Sequence, residues 1–345
     1  MSNIISIIIA LIIFSVLVLI HEFGHFIFAK KNGVTVHEFA LGMGPKLFGK
    51  EVNGTMYSVR ILPIGGFCAM EGEDEDSDKP GSFGRKSILQ RASIIFAGPF
   101  FNLILAVLFL IPVFIYIGSP TTTIDEVVDK SPAKEASLQS GDKIKEINGE
   151  EITSWAKFTE KITSSQGKEL HLTVDRDNKT LNLNITPQKS EDGSYKVGVT
   201  CKRDKNVIHA IKDSFITTGQ MTVQMVTFLK QMITGTIPGG FSNSVAGPVV
   251  IISIVSDAAK TGIINLLYLG SIISLNLGII NLVPFPALDG GRLFLLLIEA
   301  IRGGKKINPE KEAMINMIGF CALMAFMVFI TYSDVTKLFK GIIKF

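Results

Sequence analysis

The sequence predicts an α-helical multi-pass membrane protein with four transmembrane helices, an inserted α+β domain and a cytoplasmic, membrane-associated β-hairpin. The mean hydropathy of the 345 residues is +0.39. Only 19% of them are charged, against about 25% in a typical soluble domain. Apolar windows long enough to cross a bilayer occur four times, and a long polar stretch separates the second window from the third. The fold class follows from these observations.

The four apolar windows are Ile4–Phe28, Ala92–Ile117, Ile263–Val283 and Ala313–Tyr332. The first has no basic residues before it and no small-residue cleavage site, so we expect an anchor rather than a removed signal peptide. The chain then divides into the first transmembrane helix (1–30), a cytoplasmic loop with the hairpin (31–90), the second helix (91–118), the inserted domain (119–200), an interfacial amphipathic region (201–261), the third helix (262–287), a cytoplasmic segment (288–311), and the fourth helix with the tail (312–345).

The positions of the basic residues predict the orientation of these helices. Lys30 and Lys31 follow the first window, Arg91 precedes the second, and Arg302 and Lys305 follow the third. By the positive-inside rule these ends are cytoplasmic, so residues 119–262 lie outside. The tail is then outside too, although it carries lysines. The net charge of +3, without a basic stripe, argues against a nucleic-acid partner. The expected surroundings are a lipid bilayer.

The first cytoplasmic loop contains a hairpin signal. Asn53-Gly54 lies between two runs typical of strands, one of which is Thr55–Ile61. Two roles are open for this hairpin: it offers an edge strand to an extended substrate, or it only covers the membrane-embedded part of the protein.

Residues 121–200 contain short strand patterns and one helix pattern. The segments Ser131–Leu138 and Gly141–Gly149 resemble the core signature of a PDZ domain, although Ser137 stands where that family usually has glycine. A PDZ domain adds a peptide strand to its sheet, so this unit would recognise or exclude chain termini. The alternative is a spacer. Apolar residues at helical spacing over 208–233 predict an amphipathic helix at the outer interface.

Residues 21–25 read His-Glu-Phe-Gly-His and lie inside the first apolar window. On a helix this spacing places His21 and His25 on one face, where they can bind zinc while Glu22 acts as general base. Ionisable side chains in lipid are costly and normally mark a functional site. The segment therefore predicts a hydrolytic zinc site within the membrane.

Zinc in hydrolases usually has three protein ligands and one open position. Asp289 is the best third candidate because it follows the third window at its cytoplasmic end, the end where the histidines are also expected. The alternative is that Asp289 caps a helix over Arg292–Ile301. The remaining histidines are expected to be ordinary surface residues: His37, His171 and His209.

Nearly the whole chain resembles the site-2 protease family of intramembrane zinc metalloproteases, in particular the bacterial regulator of sigma-E protease type. The segments that carry this resemblance are His21–His25, Gly98-Pro99-Phe100-Phe101-Asn102, the PDZ signature, Gly247-Pro248 and Asn281–Gly291.

The resemblance implies roles for individual residues. His21, His25 and Asp289 would be the zinc ligands and Glu22 the general base. Asn281 would be a polar group near the scissile carbonyl, or alternatively would make a hydrogen bond that packs two helices. We expect Asn102 to be such a packing residue between spans.

These features predict an endopeptidase that cleaves single-pass membrane proteins near the cytoplasmic face of the bacterial plasma membrane. The resemblance implies substrates such as anti-sigma factors or signal-peptide remnants. Two other classes remain open from the residues alone: an ion or proton transporter that uses the same polar groups, and a PDZ-bearing membrane scaffold without catalysis.

Overall fold

The computed structural model describes residues 3–73, 77–190, 193–237, 246–306 and 308–339. The chain forms two compact units, one of Met1–Val113 with Ser214–Phe345 and one of Phe114–Asp213. Within the described ranges, four helices are long and apolar enough to span a membrane by length and composition: Ile8–Lys31, Ile88–Ile117, Ile263–Asn281 and Glu310–Phe339. Each includes most or all of one predicted window. The predicted tail beyond residue 339 lies outside the described residues.

The helices of the first unit are α1 (Asn3–Lys31), α2 (Ile88–Ile117), α5 (Val207–Thr234), α6 (Pro248–Thr261), α7 (Ile263–Asn281), α8 (Asp289–Ile301) and α9 (Pro309–Phe339), of which α2 and α5 continue into the second unit. Helix α1 ends in Lys30 and Lys31, where basic side chains favour the negative end of the helix dipole.

Strands β1 (Val36–Val52) and β2 (Thr55–Met70) form the antiparallel hairpin that the sequence predicted. Asn53 and Gly54 have φ values of 50° and 72°, and Val52 pairs with Thr55. Two positive φ angles in a two-residue loop are typical of a type I′ turn, whose twist matches the strands that it joins.

Shifts of register fold this hairpin into a ribbon with more than two rows. Residues 56–59 pair with 38–41 on one side and with 48–51 on the other, and 66–70 pair only with 36–41. The Thr55–Ile61 run therefore lies mainly between two partners and cannot be the edge that accepts another strand. Within the described residues, segment 66–70 has a strand partner on one side only, so it forms an open edge of the ribbon.

A cluster of polar contacts fixes the end of β2. The Glu71 carboxylate accepts hydrogen bonds from Ser77, Lys79 and His37. These bonds, the one from Ser77 above all, lower the pKa of Glu71 to about 2. Glu71 therefore stays ionised at neutral pH and holds the following loop to the start of β1.

The described residues of the second unit form eight strands, of which six belong to one sheet and two form a small separate pair. They are β3 (Ser119–Val127), β4 (Lys143–Ile147), β5 (Glu150–Glu151), β6 (Leu170–Arg176), β7 (Lys179–Ile185), β8 (Gln188–Lys189), β9 (Tyr195–Lys196) and β10 (Val199–Asp204). The sheet order is β10-β3-β4-β6-β7, with β5 paired to β4. The predicted α+β character is therefore present. Strand β10 crosses the predicted boundary at residue 200 because it pairs with β3.

Two helices accompany this sheet, α3 (Pro132–Glu135) and α4 (Trp155–Ser164). The side chains of Ser131 and Ser154 cap them by accepting backbone N–H bonds. Ser137, which stands where PDZ domains usually have glycine, has a φ of 61°. Ser137 thus has the backbone conformation that favours glycine.

Helix α5 covers the predicted amphipathic stretch 208–233. Three of its side chains pack against a buried cluster formed by membrane helices α2 and α7; the cluster is Ala106, Leu275 and Ile279, and the side chains are Met221, Met225 and Leu229. One face of α5 is therefore covered by protein rather than by lipid headgroups, which the hydrophobic pattern alone did not distinguish.

Candidate metal centre

The two histidines of the motif lie one helical turn apart on α1 and are both buried, with exposures of 7% and 8%. Their Nε2 atoms are 3.2 Å apart. The helical spacing of four residues brings the rings together on one face, as predicted from the sequence.

Asp289 joins them from the other end of the chain. Its Oδ2 atom lies 3.0 Å from Nε2 of His21 and 3.5 Å from Nε2 of His25. Helix α8 begins at Asp289 itself, and Leu288 occupies the N-cap position. The alternative in which Asp289 caps a helix that starts at Arg292 is therefore wrong, because its carboxylate is directed to the histidines.

The other ring nitrogens face α2. Nδ1 of His25 lies 2.9 Å from the Ile94 carbonyl oxygen, and Nδ1 of His21 lies 3.0 Å from Nδ2 of Asn102. The sequence predicted only a packing role for Asn102. Its backbone oxygen does accept a hydrogen bond from Ser274 of α7, but its side chain belongs to the site. No local pattern in the sequence reveals this contact, because it depends on how α2 packs against α1.

The residues present fit a zinc ion. One nitrogen from each histidine and one Asp289 oxygen lie within 4.8 Å of one another, the one such group of three ligands found in the described part of the chain. Two ligands bonded tetrahedrally to zinc at about 2.0–2.1 Å lie about 3.3 Å apart, which matches the spacings above. A Cβ atom at Gly98 would lie 2.3 Å from Nε2 of His25 and 2.9 Å from Nε2 of His21. Glycine thus leaves room beside both donors.

A cavity of about 520 Å³ opens beside these ligands, and Glu22 and Asn281 both line it. Asn281 is the last residue of α7, and its side chain makes no hydrogen bond to another described residue. Cys68 lines the same cavity as Glu22. The structure therefore brings every predicted site residue to one cavity, including the general-base candidate.

Strand β2 and α8 form the remaining wall. Residues 67–70 line the cavity, as do Glu73 and Arg292, which form an ion pair. Burial raises the pKa of the Cys68 thiol well above its usual range. The group of possible ligand atoms that lie within 4.8 Å of one another consists of His21, His25 and Asp289 and does not include Cys68.

The three other histidines have polar partners of their own. His37 contacts Glu71, His171 contacts Asn184, and His209 contacts Asp204.

A buried pair of histidines, a carboxylate and a neighbouring glutamate on a cavity among membrane-length helices define the class of membrane metallohydrolases. The chain belongs to Peptidase family M50, whose family model matches residues 9–326. It is a zinc metalloprotease, as the sequence predicted, and the family decides against the transporter and the scaffold.

Relatives match over almost the full chain. A Clostridium perfringens relative is 39% identical over 331 residues, which cover 95% of this chain and 98% of the relative. The regulator of sigma-W protease RasP of Bacillus subtilis is 33% identical over an alignment of 416 residues. This alignment covers 95% of this chain and 98% of the relative.

Similar solved structures concern about a quarter of the chain. The PDZ domain of an SdrC-like protein from Listeria monocytogenes shares 26% identity, covers 24% of this chain and 86% of that chain, and has a TM-score of 0.21. The corresponding domain from Listeria innocua shares 24% identity, with coverages of 25% and 94% and a TM-score of 0.22.

Proposed function

We propose that this chain cleaves the transmembrane segments of single-pass membrane proteins. The observation that carries the proposal is the meeting of His21, His25 and Asp289 with Glu22 at one cavity among apolar helices. A peptide bond hydrolysed there would lie at membrane depth rather than in bulk water.

In the proposed mechanism His21, His25 and Asp289 hold zinc, which when bound supplies Lewis-acid polarisation of a carbonyl and makes water more acidic. Glu22 takes the proton of the attacking water and then returns it to the amine that leaves. The Asn281 amide donates to the substrate carbonyl oxygen; its lack of a packing hydrogen bond in the described residues favours this role over the helix-packing alternative.

A substrate helix must first unwind, because helical carbonyls are engaged in backbone hydrogen bonds. The unwound strand would be held at the open edge of residues 66–70, because residues 67–70 line the same cavity as Glu22. Pairing with this edge would satisfy the backbone groups that unwinding exposes.

The proposed location is the bacterial plasma membrane, with the zinc site near the cytoplasmic face and the second unit outside, because basic residues follow α1 and α8. The PDZ-like second unit would then select substrates. One relative is named a regulator of sigma-W protease, which supports anti-sigma factors as one substrate class; signal-peptide remnants are the other.

The test uses the purified full chain in liposomes with a single-pass substrate of defined sequence. We expect zinc-dependent cleavage within the transmembrane segment, abolished by a chelator and restored by zinc. Asp289→Ala should lose zinc. Cleavage only in the soluble flanks of the substrate would contradict the proposal. Ion flux without cleavage would contradict it too and would favour the transporter alternative.

A further inference from the structure

Asn102 is fully buried on α2, and its amide faces the back of His21, where Nδ2 lies 3.0 Å from Nδ1 of the ring. The other amide atom, Oδ1, is buried without a hydrogen-bond partner in the described residues. A side chain that only packed two helices would not need to present a polar group to this nitrogen.

The chemistry of the ring decides what that group must do. A neutral histidine that binds zinc through Nε2 carries its proton on Nδ1, so Nδ1 needs an acceptor. At His25 the acceptor is the Ile94 carbonyl oxygen, 2.9 Å away. At His21 the facing residue is Asn102, whose Nδ2 is a donor and cannot accept.

The two ends of an amide are assigned from the hydrogen-bond network, so a rotation of the Asn102 amide by half a turn is an equivalent placement. In either orientation, the amide atom that faces away from His21 has no hydrogen-bond partner among the described residues. The contact with His21 therefore decides which orientation of the amide is correct. With Oδ1 facing the ring, the Nδ1–H group of His21 donates to Oδ1. Both histidines then donate a hydrogen bond from Nδ1 to an oxygen acceptor.

We propose that Asn102 is a positioning residue that accepts the Nδ1 proton of His21 through Oδ1 and so keeps Nε2 free for zinc. This inference rests on the proposed role of His21 as a ligand. Loss of such a partner behind a metal-bound histidine typically weakens metal binding by about 10–100-fold.

Two variants at position 102 distinguish a role as hydrogen-bond acceptor from a role in helix packing. Asn102→Asp keeps an acceptor of nearly the same shape, and Asn102→Leu removes it. Both keep the backbone oxygen that Ser274 contacts. Ser274→Ala is the matched control, because it removes that interhelical hydrogen bond and leaves the His21 contact in place.

The experiment measures the zinc affinity of the full chain in detergent by competition with a chelator. We expect Asn102→Leu to bind zinc about 10–100-fold more weakly, with Asn102→Asp and Ser274→Ala close to the unchanged protein. Equal weakening by Asp and Leu, or no weakening by Leu, would overturn the inference. If His21→Ala also left zinc affinity unchanged, the proposed ligand set itself would fail.

A second measurement needs no variant at the buried position. Long-range proton–nitrogen NMR correlations of histidine-labelled, zinc-loaded protein identify the protonated ring nitrogen, and His21→Ala assigns the signals. We expect the proton of His21 on Nδ1. A proton on Nε2 would overturn the inference even if Asn102→Asp failed to fold.

Discussion

Arg91 of α2 donates to Glu299 of α8 across 2.6 Å, and both side chains are almost completely buried, at 9% and 8% exposure. Helix α8 begins with Asp289. The ion pair thus ties the helix that carries one proposed zinc ligand to the helix that packs behind the other two.

Breaking this pair should destabilise the protein. Glu299→Leu leaves the Arg91 charge buried and unpaired, which costs about 3–5 kcal/mol. The double variant Arg91→Met with Glu299→Leu removes both charges and should recover much of that loss. Thermal denaturation in detergent measures both. A double variant no more stable than the single one would show that the pair does not act as a unit.

Gly24 allows α1 and α2 to approach closely beside the site, because a Cβ atom there would lie 2.4 Å from the Ala97 carbonyl oxygen. Gly24→Ala should separate the helices, lower stability by about 1–3 kcal/mol and weaken zinc binding. Gly219→Ala is the matched control, since Gly219 is also helical and a Cβ atom there would have no described neighbour within 4 Å. Equal melting temperatures for the two variants would contradict this close approach.

The proposed orientation is tested by thiol labelling. In a chain without its native cysteines, single cysteines at the exposed positions Lys31, Lys305 and Asp177 should react differently with a reagent that cannot cross membranes. We expect labelling at Lys31 and Lys305 only from the cytoplasmic side, and at Asp177 only from outside. Labelling of Lys31 and Asp177 from one side would reject the orientation.

Removal of the second unit should change substrate choice and leave the chemistry intact. Because β10 pairs with β3, the deletion should cover 119–204 and be replaced by a flexible linker. We expect unchanged cleavage of a substrate already trimmed outside and new cleavage of the untrimmed form. An equal loss of both activities in a zinc-loaded deletion protein would rule out a selective role.

How far the sequence predicted the site depends on how local each feature is. His21, Glu22 and His25 share one helical turn, so their spacing alone predicted the shared face. The prediction of Asp289 as a third ligand required only the expectation that two helix ends meet at the same membrane face. The contact between Asn102 and His21 depends on how α2 packs against α1, which no local pattern encodes.

The hairpin shows the same limit. Its turn is local, and Asn53-Gly54 predicted it. Which edge stays open depends on the register shifts along β1. The Thr55–Ile61 run, for which an edge role and a covering role were both open, lies mainly between partners, while 66–70 is open. Likewise the pattern of α5 predicted an apolar face but not that α2 and α7 would cover it.

The central claim is that Glu22 acts on water while His21, His25 and Asp289 hold the metal. The most direct measurement is zinc content and transmembrane-substrate cleavage of Glu22→Gln beside His25→Ala. We expect Glu22→Gln to retain zinc and lose cleavage by at least about 100-fold, in line with the loss of a general base, and His25→Ala to lose both. Near-normal cleavage by zinc-loaded Glu22→Gln would contradict the account.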